Sequence, residues 1–245
     1  MGAFFLSHKE SGISLGEVEE LYLRKGFRNF KLVQIGDYRL QLYRKQLTGI
    51  QNYFREGDDY IFSTGSLFYR GLGYTDSLKI LLRDFLNEGI DANLLFGNYS
   101  LLFYNATSGI ITFCIDPSFI KNVYFNRDKR ILSTDFLCIV EASPYHYSFN
   151  LSAVAESMTT GHLVSPDTYA VEIEKTDIRN LNEIETYFPG IKVMVLYPDI
   201  TVRIDSRADA LNNAKHLLSS YFEASRNICR EFGATIGLTG GFDSR

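Results

Sequence analysis

The chain has 245 residues, of which 45% are hydrophobic and 22% charged, an ordinary balance for a soluble globular protein with one large domain or two small ones. A formal net charge of -4 with no basic cluster argues against a nucleic-acid partner. No apolar run reaches the length of a membrane span, and the first residues lack the basic start and long apolar stretch of a signal peptide, so a cytoplasmic location without membrane contact is expected.

In chain order, short apolar segments bounded by Gly, Asn, Asp or Pro mark strands at 30–35, 38–44, 59–64, 97–105, 109–116, 123–125 and 131–134, behind a first strand that contains Ser7. Asn105-Ala106-Thr107-Ser108-Gly109 is the clearest hairpin turn. Ser100-Leu101-Leu102-Phe103-Tyr104 and Ile110-Ile111-Thr112-Phe113-Cys114-Ile115 are apolar on both faces, and such strands need cover on both sides. Two stacked sheets between helices satisfy that need. Helices are expected at 76–87, with Thr75 or Asp76 as cap and Gly89 as stop, and at 152–160. Arg127-Asp128-Lys129-Arg130 reads as a solvated hairpin turn. Gly71-Leu72-Gly73-Tyr74-Thr75-Asp76 begins like a dinucleotide fingerprint, but lacks the third glycine and is not expected to join a strand to a helix around a phosphate. Cys114, Cys138 and Cys229 are scattered and read as small buried hydrophobes; the four histidines are equally dispersed.

From Ala208 to Phe232, apolar residues recur at three-to-four spacing, which predicts an amphipathic helix capped by Ser206 and stopped by Gly233. A short apolar strand at 234–238 follows, and then Thr239-Gly240-Gly241-Phe242-Asp243-Ser244. Glycines allow close backbone approach, so their N–H groups can wrap an anionic oxygen while Thr239 and Ser244 add hydroxyl donors. The loop has no lysine and is not the Gly-x-x-x-x-Gly-Lys type. It resembles the Ser-Gly-Gly-x-Asp-Ser pyrophosphate loop of the N-type ATP pyrophosphatases, the family of asparagine synthetase and β-lactam synthetase.

The resemblance extends upstream. Phe96-Gly97-Asn98-Tyr99-Ser100-Leu101-Leu102-Phe103-Tyr104, Ile115-Asp116-Pro117, Val123-Tyr124-Phe125 and Leu132-Ser133-Thr134-Asp135-Phe136 follow the order of motifs in the class II glutamine amidotransferase domain. It implies an α+β chain with an N-terminal-nucleophile-hydrolase-like αββα sandwich over 1–205. The first helix and strand of a truncated α/β domain follow over 206–245. In that family Met is removed and the exposed cysteine attacks the glutamine amide, with its own α-amino group as base. This chain begins Met1-Gly2-Ala3-Phe4-Phe5, so the nucleophile position holds Gly2. The family's Asn-Gly-Glu appears as Thr64-Gly65-Ser66, and Asp76 is left either to meet a substrate ammonium or to cap a helix. The pocket formed by Thr64, Gly65, Ser66 and Asp76 is therefore expected to be degenerate, and glutamine hydrolysis lost.

By the same resemblance, Thr239, Gly240, Gly241, Phe242, Asp243 and Ser244 would hold the pyrophosphate of ATP with Mg²⁺. A substrate carboxylate would attack the α-phosphate, and ammonia or an amine would open the acyl-adenylate to an amide. The expected partners are the remainder of the synthetase domain, small carboxylate and amine substrates, and a second copy paired through the strand at 234–238. The chain is then expected to be the N-terminal piece of an ATP-dependent carbon–nitrogen ligase, inactive and weak in ATP binding by itself. A non-catalytic scaffold and an amidotransferase with residual activity are the alternatives.

Overall fold

The computed structural model describes residues 2–45, 51–118, 121–163, 166–177, 180–197 and 206–233. The strand at 234–238 and the loop at 239–244 lie outside them.

The fold is α+β. One sheet contains β1 (Gly2–His8), β2 (Phe27–Ile35), β3 (Tyr38–Lys45), β8 (Tyr124–Asn126), β9 (Ile131–Ser133) and β10 (Glu174–Lys175), in the order β10-β8-β9-β1-β3-β2. The other contains β4 (Tyr53–Glu56), β5 (Asp59–Tyr69), β6 (Leu95–Asn105), β7 (Ile110–Ile115) and β11 (Ile191–Val195), in the order β11-β7-β6-β5-β4. Pairing is antiparallel except between β11 and β7, which run parallel.

Period-two alternation divides the core into three layers. Phe4 and Leu6 of β1, Leu102 of β6 and Phe113 of β7 meet between the sheets. The alternate residues of β1, Ala3 and Phe5, face outward onto α1 (Leu15–Arg24) and α3 (Phe136–Ala142), through Val18, Leu21, Tyr22, Cys138 and Ile139. On the other sheet, Leu101 and Phe103 face α2 (Tyr74–Leu86) and its Leu78, Leu81 and Leu82. The strands that are apolar on both faces thus have cover on both faces. Helices α4 (Leu151–Thr160) and α5 (Leu181–Tyr187) come later, and α6 (Arg207–Phe232) begins at the Ser206 cap, whose hydroxyl accepts from the Asp209 amide. The turn at 105–109 forms as expected, with the Asn105 side chain accepting from the Ser108 amide and Gly109 at φ 67°.

Several expectations are corrected. Within 1–205 there are five α-helices among the described residues rather than two. Helix α2 starts at Tyr74 with Gly73 as its cap, because Tyr74 itself is buried under the sheet; neither Thr75 nor Asp76 caps it. The Gly71-Leu72-Gly73 segment does join a strand, β5, to a helix, α2. Its polar groups are used internally: Ser77 Oγ accepts from the Tyr69 amide and donates to the Leu72 carbonyl, and Asn227 donates to the Gly71 carbonyl. Cys114 and Cys138 are buried, but Cys229 is exposed. Much of the apolar stripe of α6 is exposed with it, including Leu217, Leu218 and Phe222, while Tyr221 packs on Phe68 and Phe96.

Candidate functional site

At the N-terminal end of β1 the two sheets part to leave a cavity of about 250 Å³. Gly2 and Ala3 of β1, Thr64 and Gly65 of β5, Lys121, and Thr134 with Asp135 after β9 contribute to its walls. With Phe27 of β2, five chain segments converge here because β1 is central in its sheet and β5 faces it from the other.

Gly65 is required twice over. Its φ of +86° is in the left-handed region, and a Cβ there would run into the carbonyl oxygen of Asn98 on the neighbouring strand. The same Cβ would lie 3.0 Å from Lys121 Cε, so the bare backbone lets the lysine stem cross over it. Lys121 is anchored from behind, since Ser100 Oγ donates to its carbonyl at 3.0 Å. Across the ladder Gly97, at φ +123°, faces the Ser66 carbonyl in the same way. Ser66 is exposed and does not line the cavity.

The opposite wall is fixed by hydrogen bonds. Thr134 Oγ1 accepts from the Phe4 amide at 3.1 Å, tying the chain after β9 to β1. Asp135 caps α3 by accepting from the Cys138 amide at 3.0 Å and accepts from Lys25 Nζ at 2.6 Å. Burial opposes the Lys25 charge, but its bonds to Asp135 and Cys138 and the nearby negative charges outweigh that, so its pKa rises. The cavity thus has Asp135, which pairs with Lys25 outside the lining, on one side and Lys121 on the other.

Position 2 decides what the site can do. Asn52 is buried and donates through Nδ2 to the Tyr43 carbonyl of β3 at 3.3 Å and to the Ser63 carbonyl of β5 at 3.2 Å. It therefore bridges the two sheets. A Cβ on residue 2 would collide with that amide nitrogen and lie 2.8 Å from the Tyr43 carbonyl oxygen. The aliphatic hydroxyls in the cavity wall are those of Thr64 and Thr134, the latter tied to the Phe4 amide. Ser7 is fully buried farther along β1, and burial pushes the Cys138 thiol up to about 12.

Of the residues singled out from sequence, Gly2, Thr64 and Gly65 meet at the cavity. Asp76 is exposed in the first turn of α2 and does not line it. Thr239, Gly240, Gly241, Phe242, Asp243 and Ser244 lie outside the described residues. Sequence reasoning missed Lys121 and Asn52, for which no local signal exists, and Thr134 with Asp135, which sit in a motif already noted for its place in the chain. A larger cavity, about 510 Å³, lies beside α3 with mainly aromatic walls, including Phe136, Tyr145, Phe149 and Tyr169. Among the described residues no helix is long and apolar enough to cross a membrane. No protein-family model matches the chain, and no curated protein matches it either.

Proposed function

We propose that residues 1–205 are a glutamine-amidotransferase-like domain of the N-terminal-nucleophile-hydrolase type that has lost its glutaminase. It serves as the structural partner of an ATP-dependent, amide-forming ligase domain that opens at residue 206. The observation that carries the reading is the filled position at residue 2. A cavity lies where the nucleophile would act, yet residue 2 has no side chain and the Asn52 amide occupies the space for one. The stacked-sheet architecture with β1 at its centre supports the same reading. So does the exposed apolar stripe on α6, where Leu217, Leu218 and Phe222 stand at 56%, 57% and 66% exposure, a surface suited to cover by the rest of a ligase domain.

On this reading nitrogen comes from ammonia or an amine rather than from glutamine. The loop 239–244 would hold ATP and Mg²⁺ for carboxylate adenylation. Two measurements test the two halves. Incubation with a glutamine-analogue electrophile such as diazo-oxo-norleucine, followed by mass spectrometry, is expected to leave the N-terminus unmodified; a single stoichiometric adduct at residues 2–7 would refute the glutaminase-dead half. Pyrophosphate exchange by the protein carrying the whole ligase domain, with its acid substrate, is expected to be abolished by Asp243→Ala. Undiminished exchange in that variant would refute the ligase half and favour the scaffold alternative.

A further inference from the structure

The C-terminal end of β1 borders a second cavity, of about 350 Å³, at the far end of the sandwich. His8 and Tyr38 line it from the first sheet, Gly109 and Gly190 from turns of the second, and Arg130 from the β8–β9 turn. Its wall carries the side chains of His8, Tyr38 and Arg130 together with one carboxylate, Asp37, which Lys9 engages. His8 is 7% exposed, and its Nδ1 accepts from the Glu10 amide at 3.2 Å. A neutral imidazole accepts at one nitrogen only, and taking the shorter contact, at Nδ1, as the accepted bond places the proton on Nε2. Nε2 lies 3.4 Å from Arg130 Nη1, another donor. Tyr38 is 5% exposed, its ring meets the His8 ring edge-on at 5.3 Å, and its buried hydroxyl has no partner among the described residues.

The backbone points the same way. Arg130 has φ 52°, the left-handed region, at a turn position that glycine or asparagine fills without strain. Among the described residues its guanidinium makes no ion pair; Asp37, in the same wall, is engaged by Lys9 at 2.6 Å and feels Arg130 only at longer range. A half-buried arginine in the left-handed region, beside His8 and a buried hydroxyl without a partner among the described residues, is an arrangement that a negative oxygen completes.

We propose that this cavity binds a small oxyanion, a phosphate or carboxylate group, between the Arg130 guanidinium, His8 Nε2–H and the Tyr38 hydroxyl. Burial pushes the Tyr38 phenol up to about 12, so it remains a donor at neutral pH. The site is independent of the cavity at Gly2 and of the reading given to it.

The test is titration of the full chain with inorganic phosphate and, separately, with acetate, followed by the His8 imidazole resonances, with chloride as the ionic-strength control. Saturable movement of the His8 signals by phosphate or by acetate, absent with chloride, is expected, and the tighter of the two identifies the ligand class. Arg130→Gly removes the guanidinium while relieving the left-handed backbone, so it should fold at least as well as the parent. It is expected to weaken binding by about tenfold or more, because charge-assisted bonds dominate such sites. Tyr38→Phe should weaken it less. Equal responses to all three anions, or unchanged affinity in Arg130→Gly, would overturn the proposal.

Discussion

The amide nitrogen of Asn52 occupies the place that a side chain on Gly2 would need. Because that amide also bridges the Tyr43 and Ser63 carbonyls, the two positions are energetically one. Gly2→Cys is therefore expected to lower stability without producing glutamine hydrolysis. Asn52→Gly should lower stability by removing the bridge. In the double variant the collision with Asn52 is relieved and only the approach to the Tyr43 carbonyl remains, so the effects should be less than additive by about 0.5–3 kcal/mol. Denaturant unfolding of the four proteins measures the coupling; strict additivity would mean that the terminus simply swings away.

Two positive-φ glycines of the same sheet should respond differently to alanine. Gly57, at φ 63°, is in the β4–β5 turn with nothing near its missing Cβ, so Gly57→Ala should cost about 1–2 kcal/mol for the backbone alone. Gly65→Ala adds collision with the Asn98 carbonyl and crowding of Lys121, and should cost about 3 kcal/mol or more. Equal losses would show that β5 can relax at Gly65.

Tyr22 stacks on Tyr43 with ring centroids 4.1 Å apart, and its hydroxyl bonds Ser133 Oγ at 2.8 Å and donates to the Phe4 carbonyl at 3.1 Å. Tyr22→Phe retains the stack and loses the bonds. The expected loss is about 1–2 kcal/mol, since the Phe4 carbonyl and the Ser133 hydroxyl both keep other partners. Thermal unfolding followed by circular dichroism measures it, and an unchanged midpoint would mean that these bonds contribute nothing.

Alkaline pH should unfold the protein. Burial raises the pKa values of Tyr22, Tyr43 and Tyr99. Unfolded tyrosines lose their protons near pH 10 while the folded ones keep theirs. Above that pH the unfolded chain binds fewer protons than the native one, so stability falls as pH rises, by up to about 1.4 kcal/mol per pH unit for each group. Below it this contribution is fully present. The chain has 16 tyrosines and no tryptophan, which leaves phenolate absorbance clean to follow. The last tyrosines to ionise should do so together with the loss of circular dichroism; ionisation well before unfolding would contradict the assignment.

What could be read from sequence was what repeats locally. The strands at 97–105 and 109–116 announce themselves as apolar runs on either side of an Asn–Gly turn, and they form nearly as expected. Strand β5 is expected to end at 64, where Gly65 reads as a stop, yet the ladder runs in unbroken register to Tyr69, with Gly65 and Gly97 both at positive φ. Helix α1 does have a signal, Ser14 with Glu17 three residues on, in which Ser14 caps the Glu17 amide. Strand β11 has one too, the run Ile191-Lys192-Val193-Met194-Val195 after Pro189-Gly190, but its parallel pairing with β7 across a long stretch of chain has no local signal. The sites divide similarly. Gly65 lies in a recognisable motif, whereas Asn52, Lys121 and Arg130 matter only because the fold carries them to β1. The turn at 127–130 was expected to be merely solvated; Arg127 instead pairs with Glu174 and Glu183, and Arg130 faces His8.

Both cavities open on the ends of a single strand, β1, which is bonded by β3 on one side and β9 on the other and is covered on both faces. Such a segment opens only with the whole domain, so the amides of Phe5 and Leu6 should be among the slowest to exchange with solvent deuterium. The two mouths then share one unit of unfolding. A substitution at Gly2 and one at His8 should shorten the exchange lifetimes of the same central amides by an amount set by global stability alone, although the altered residues lie six positions apart at opposite ends of the strand.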